Sequence, residues 1–186
     1  KIFFSARAGA SSNFELYVCD GTNPPSIVDP NGPTDPWGLM TFNGKLYFRG
    51  TDIATGQELW VYDDVNPPQL VADINNSGNS GALPIGVFNG FLWIQANDGI
   101  SGSELWKYNG VAPPVLAFDI EPGPNGSGPN QMIEFNSEAV FVAYTSTNGG
   151  EMFKFDGTNA PVMVGDINPG SSSGFPSSLI EFNGKV

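Results

Sequence analysis

The stretch Ser103-Glu104-Leu105-Trp106-Lys107-Tyr108-Asn109-Gly110 recurs in altered form along the whole chain. Glu15-Leu16-Tyr17, Glu58-Leu59-Trp60 and Glu151-Met152-Phe153 align with Glu104-Leu105-Trp106, and Asp20, Asp63 and Asp156 align with Asn109. Working outward, a proline follows at Pro25, Pro68, Pro114 and Pro161. Each unit closes on Phe-Asn, at Phe42-Asn43, Phe88-Asn89, Phe135-Asn136 and Phe182-Asn183. The matched positions divide the chain into repeats 1–44, 45–90, 91–137 and 138–184, with 185–186 opening a further repeat or closing the domain.

Within a repeat the local signals are all β. Lys45-Leu46-Tyr47-Phe48-Arg49, Glu58-Leu59-Trp60-Val61-Tyr62, Gln69-Leu70-Val71-Ala72-Asp73-Ile74 and Pro84-Ile85-Gly86-Val87-Phe88 are short, alternating or rich in branched and aromatic residues, and none reaches helical length. Asn43-Gly44, Asn89-Gly90 and Asn183-Gly184 lie between such runs and supply the two positive-φ residues of a type I′ hairpin. The last run of one repeat is therefore expected to pair with the first run of the next. The connections 75–82, 121–129 and 168–175 are Gly, Ser, Asn and Pro loops without apolar periodicity, expected at the surface.

Four short strands per unit of about 46 residues is the pattern of a β-propeller blade. The expected fold is a single all-β domain over residues 1–186, a propeller of four-stranded blades in which the C-terminal strand, residues 178–184, completes the N-terminal blade. A window cut from a longer array is the competing account.

These residues resemble the ELWxxDGT repeat family. Ser103-Glu104-Leu105-Trp106-Lys107-Tyr108-Asn109-Gly110 and Glu58-Leu59-Trp60-Val61-Tyr62-Asp63-Asp64 are similar to its namesake motif. Asp119-Ile120-Glu121-Pro122-Gly123 and Asp166-Ile167-Asn168-Pro169-Gly170 match its middle element, and Phe42-Asn43-Gly44-Lys45-Leu46-Tyr47-Phe48 its last. The first repeat departs most, its later loop Asp29-Pro30-Asn31-Gly32-Pro33 being shortened. The resemblance spans essentially the whole chain. It implies β-propeller-like modules of large secreted or surface proteins of bacteria, and it implies no catalytic residues.

Composition narrows the function. Seven Lys+Arg against 19 Asp+Glu give a net charge of −12, which argues against nucleic acid as a partner, since phosphate binding is built from clustered cations. The chain has no histidine, which removes imidazole bases, Ser-His-Asp and Cys-His pairs and His-ligated zinc. The single cysteine, Cys19, has no internal disulfide partner and reads as a packed thiol. No apolar run approaches the roughly 18–20 residues of a membrane-spanning helix.

Carboxylates remain, and paired carboxylates suffice for glycoside hydrolysis. Glu15, Glu58, Glu104 and Glu151, however, recur at the same place in every repeat. An active site is singular, so they read as structural acceptors of backbone N–H groups, and the same reasoning applies to Asp73, Asp119 and Asp166. The non-repeated Asp35, Asp52, Asp98 and Glu138 sit in no catalytic motif. No catalytic residue is expected, and the protein is read as a non-enzyme.

Two kinds of binding residue stand out. Asp73 and Asn75, Asp119 and Glu121, and Asp166 and Asn168 place oxygen atoms at alternate positions of equivalent loops, the pattern a Ca²⁺ ion uses, with Asx-turn capping as the competing reading. Trp37 and Trp93 fall where the repeat does not fix an aromatic, and exposed aromatics form the floor of sugar sites. The expectation is an extracellular or cell-surface module for adhesion or for binding a glycan or protein at the blade loops. The alternatives are self-association into a filament, sheath or tandem array and, last, a carboxylate glycosidase.

Overall fold

A computed structural model of the chain describes residues 1–9 and 13–186. Its described residues form fifteen strands and no helix. The first sheet runs β1 (Ile2–Ala6), β2 (Glu15–Cys19), β3 (Ser26–Ile27), and the second runs β4 (Thr34–Phe42), β5 (Lys45–Asp52), β6 (Gly56–Tyr62), β7 (Gln69–Ala72). The third comprises β8 (Leu83–Phe88), β9 (Phe91–Asn97), β10 (Ser103–Tyr108) and β11 (Val115–Phe118). The fourth comprises β12 (Asn130–Phe135), β13 (Glu138–Thr145), β14 (Gly149–Phe155) and β15 (Val162–Gly165). Each sheet follows chain order, as short antiparallel hairpins require. Three of the four have the expected four strands.

The repeat is written in the backbone as well as in the residues. Asn43, Asn89, Asn136 and Asn183 take φ of 47°, 50°, 51° and 51°, and the residues after them, Gly44, Gly90, Ser137 and Gly184, take 73°, 77°, 62° and 72°. These are the left-handed pairs that a type I′ turn demands, and serine stands in for glycine at the third. Seven residues before each closing phenylalanine a second left-handed residue recurs, at Asp35, Gly81, Gly128 and Phe175 (52°, 62°, 53° and 52°). Three residue types occupy that one position, so only the structure reveals it as a repeat.

A bulge is shared too. The pairing of the third and fourth strands slips between Leu59 and Trp60, between Leu105 and Trp106, and between Met152 and Phe153. In each case one residue of the last strand, Val71, Ala117 or Val164, is left between paired neighbours. Such a bulge bends the strand and re-aims the chain after it.

The chain divides into two compact units, Lys1–Pro84 and Ile85–Val186. In the first, Leu16, Leu46 and Phe48 are buried and Phe3, Val28, Leu39, Trp60 and Tyr62 close around them, joining the first and second sheets. In the second, Phe155 of the fourth sheet is ringed by Trp93, Phe88 and Phe118 of the third and by Phe141, at centroid distances of 4.7, 5.7, 5.8 and 5.9 Å. All four contacts are edge-to-face, the arrangement ring quadrupoles prefer. Trp60 and Trp106 lie in these cores as the repeat implies, whereas Cys19 is only half-buried.

The C-terminal segment differs from expectation. Residues 178–184 form no strand; the Asn183-Gly184 turn is closed by a single Phe182–Lys185 bridge, and the first sheet has three strands. Phe182 is 72% exposed where its counterparts Phe42 and Phe88 are each 5% exposed. Those counterparts lie in strands paired across their turns, whereas Phe182 has the single bridge to Lys185.

Candidate functional site

The recurring glutamates are buried and fully engaged. Glu58, Glu104 and Glu151 are each 0% exposed. Glu104 Oε2 accepts the Ile120 N–H at 2.9 Å and the Ser127 hydroxyl at 2.6 Å, while Oε1 accepts the N–H groups of Ser127 at 2.7 Å and Glu121 at 3.3 Å. Glu58 accepts the N–H groups of Ile74 and Ser80, both at 3.0 Å, and the Ser80 hydroxyl at 2.6 Å. Glu151 accepts the Ile167 and Gly174 N–H groups at 3.1 and 2.7 Å.

Each carboxylate thus holds both ends of the loop that follows the last strand of its sheet. The bulge precedes Asp73, Asp119 and Asp166, and the residue after each, Ile74, Ile120 or Ile167, donates its N–H to the glutamate. Burial pushes the Glu58 and Glu104 carboxyls above their usual range, against the pull of these donors. Among the described residues no such clamp is made by Glu15, in the repeat whose loop is shortened. Burial, then the charges of Asp35 and Asp29, raise its pKa.

Of the oxygen atoms considered for Ca²⁺, those of Asn75 and one of Asp166 are engaged within the loops. Asn75 is buried, its Oδ1 accepting the Ser77 N–H and hydroxyl, and its Nδ2 donating to Asn79 O. Asp166 Oδ2 accepts from Asn148 Nδ2 at 3.0 Å and from the Gly170 N–H at 3.2 Å, and Asn168 Nδ2 donates to Ser173 O. Glu121 contributes its N–H to Glu104, and Asp119 lies exposed at the surface. Asp73 Oδ1 and Asp166 Oδ1 are buried without a hydrogen-bond partner. Among the described residues no three His, Cys, Asp or Glu side chains gather as a metal site.

The non-repeated carboxylates are likewise committed. Asp52 accepts the Ala54 N–H, Asp98 accepts those of Ile100 and Ser101, and Glu138 pairs with Lys154 at 2.9 Å. The Ser101 N–H bond, foremost, holds Asp98 below the ordinary range. At the hairpin tips Asp20 and Asp63 are drawn down to about 2, each chiefly by the N–H of the asparagine three residues on. Asn109 makes the same turn uncharged, accepting the Val111 and Ala112 N–H groups at 2.9 Å.

The two tryptophans part company. Trp93 is 1% exposed, its indole N–H donates to Phe88 O at 3.1 Å, and its ring meets Phe155, so it belongs to the core and has no surface for a ligand. An aromatic where other repeats have Phe3, Tyr47 or Val140 simply fills the same interior place with a larger ring.

Trp37 is 61% exposed. It sits in β4 between two slips of register, one on either side, and pairs directly with Arg49 of β5. Asp35, two residues earlier, is left-handed (φ 52°) and locked to β2's approach: its N–H donates to Phe14 O at 2.8 Å and its Oδ1 accepts the Phe14 N–H at 3.0 Å. The irregular strand opens a cleft of about 230 Å³ lined by Ser5, Phe14, Asp35, Pro36, Trp37 and Arg49. The Arg7 guanidinium lies 5.4 Å above the Phe14 ring. Phe14 and the arginines were not legible as site residues, although Arg7 and Arg49 are the only arginines in the sequence.

Chemically this arrangement offers an aromatic face, a serine hydroxyl, a guanidinium and a carboxylate. Comparison with protein-family models, curated proteins and solved structures yields no match for this chain.

Proposed function

We propose that this chain is a non-catalytic, propeller-type repeat module of the cell exterior that binds a glycan or protein ligand at its loops, with the Trp37 cleft as the contact site. The observation that carries this reading is the division of labour among the side chains. The carboxylates that recur are consumed in clamping loops, and the exposed aromatic that does not recur lines an open cleft. Trp37 and Arg49 sit on paired strands, a fixed platform for a ligand. A surface of net charge −12, rich in Asn and Gly turns, suits an extracellular life, and the resemblance to ELWxxDGT repeats points the same way.

In this reading the four sheets are blades, and residues 178–184, which form no strand, leave a further segment free to pair. Exposed Ile180 and Phe182 favour a second reading, in which that segment pairs with another chain and builds a filament or sheath. A glycan array read with the native chain and with Trp37→Ala separates the two. Binding that vanishes in the variant supports the ligand module; no hit on the array together with filaments in electron micrographs replaces it with the structural reading.

A further inference from the structure

Arg49 carries the next step. It is half-buried in the middle of β5, and among the described residues its guanidinium makes neither an ion pair nor a side-chain hydrogen bond. The two ion pairs of the described residues both use lysine, Lys1 with Asp64 and Lys154 with Glu138. Among the described residues of a chain with 19 carboxylate side chains, both arginines are thus left without an ion pair, and one of them, Arg49, is the ladder neighbour of the exposed Trp37 and lines the same cleft. A guanidinium presents a planar fork of donors that matches a carboxylate bidentately, and partial burial strengthens such a bond. The second arginine, Arg7, stands over the ring of Phe14, which lines the same cleft.

We propose that the Trp37 cleft selects a sugar bearing a carboxylate, its ring face on Trp37 and its carboxylate on Arg49. This rests on the ligand-binding reading above and names the ligand class for it. The volume of about 230 Å³ lies below the roughly 300–1,000 Å³ of drug-sized sites and suits one sugar ring. Trp37 supplies the apolar face on which a pyranose stacks, and Asp35 brings a hydroxyl acceptor to the rim. The chain's net charge of −12 repels a long polyanion, but this repulsion is screened beyond about 8 Å at physiological salt, whereas a pair formed inside the cleft is screened less. The cleft therefore favours a single acidic residue, or the acidic end of a glycan, over a continuous acidic polymer.

The test is a titration of the full chain, followed by tryptophan fluorescence and by ligand NMR. The probes are the methyl glycosides of glucuronic, galacturonic and mannuronic acid, each beside its neutral methyl ester. At least one acid is expected to bind about tenfold more tightly than its ester, the worth of one charge-assisted contact. Arg49→Gln lowers the affinity of that acid more than that of its ester and closes the tenfold gap between them, and Arg49→Lys falls between. Trp37→Ala removes both. Equal binding of acid and ester, or an Arg49→Gln variant that keeps the preference, overturns the selectivity and leaves sugar binding at Trp37 standing. Failure of every acid and every ester to bind overturns both.

Discussion

Replacing Glu104 by alanine strands three strong donors at once: the Ile120 N–H, the Ser127 N–H and the Ser127 hydroxyl. Bonds to a charged acceptor are worth about 1.5–3 kcal/mol each, offset by the cost of burying the carboxylate, so Glu104→Ala is expected to lose about 2–3 kcal/mol in urea unfolding. Glu151→Ala, whose carboxylate has two backbone donors and no hydroxyl donor, loses less. The two kinds of carboxylate also respond to acid in opposite senses. Asp63 is lowered from the ordinary 3.8 to about 2 in the folded chain, so its contribution is present above the ordinary value and is lost as pH falls toward 2. Glu104 is raised by burial, so its contribution is full below the ordinary 4.5 and declines as pH rises through the folded value. Asp63→Asn keeps the turn, as Asn109 already does in the third repeat, and is expected to flatten the fall in urea midpoint between pH 4 and pH 2. An unchanged slope counts against the Asx-turn account.

At the scale of elements, the hairpins and the loops make different demands on glycine. Gly90 ends an Asn-Gly turn at φ 77°, and an added Cβ meets nothing within 4 Å, so Gly90→Ala costs about 1 kcal/mol in backbone strain alone. Gly102, at φ 74°, opens the strand that carries Glu104, and its Cβ would lie 2.4 Å from Gly126 N and 2.7 Å from Gly126 Cα. Backbone gives way less easily than a side chain, so Gly102→Ala is expected to cost about 3 kcal/mol or more. Thermal unfolding of the two variants compares them directly. The tryptophans divide in the same way. Trp93→Ala empties a buried site and is expected to cost about 3–5 kcal/mol. Trp37→Ala, mostly in solvent, is expected to stay within about 0.5 kcal/mol.

Over the whole molecule, the sheets were legible in the sequence because their signals are local: Asn-Gly at the turns, alternation in the runs, and four-fold repetition to fix the register. The structural role of Glu58, Glu104 and Glu151 followed from repetition alone, since a residue used in every unit is not a singular site. What stayed hidden depends on the path of the backbone in space. The left-handed position shared by Asp35, Gly81, Gly128 and Phe175 has no common residue type. Trp93 and Trp37 look equally unconstrained in sequence, and only packing against Phe155 sends one inward while a doubly slipped strand turns the other out. Arg49 is an ordinary strand residue until its neighbour across the ladder is known. The oxygen-rich loops considered for Ca²⁺ are the very loops the glutamates clamp, and within them Asn75 and Asp166 accept loop N–H groups while Asp73 Oδ1 and Asp166 Oδ1 stay unpartnered.

The central claim is that buried glutamates, one in each of the last three repeats, fix the loops that follow the last strand of their sheets. Native-state hydrogen exchange tests it most directly, at the amides of Ile74, Ser80, Ile120, Ser127, Ile167 and Gly174. These groups lie outside the strands yet each donates to a glutamate, so all six are expected to be protected. Glu104→Ala should release Ile120 and Ser127 while the other four stay protected. Exchange of all six at the rate of an open loop in the native chain would contradict the account.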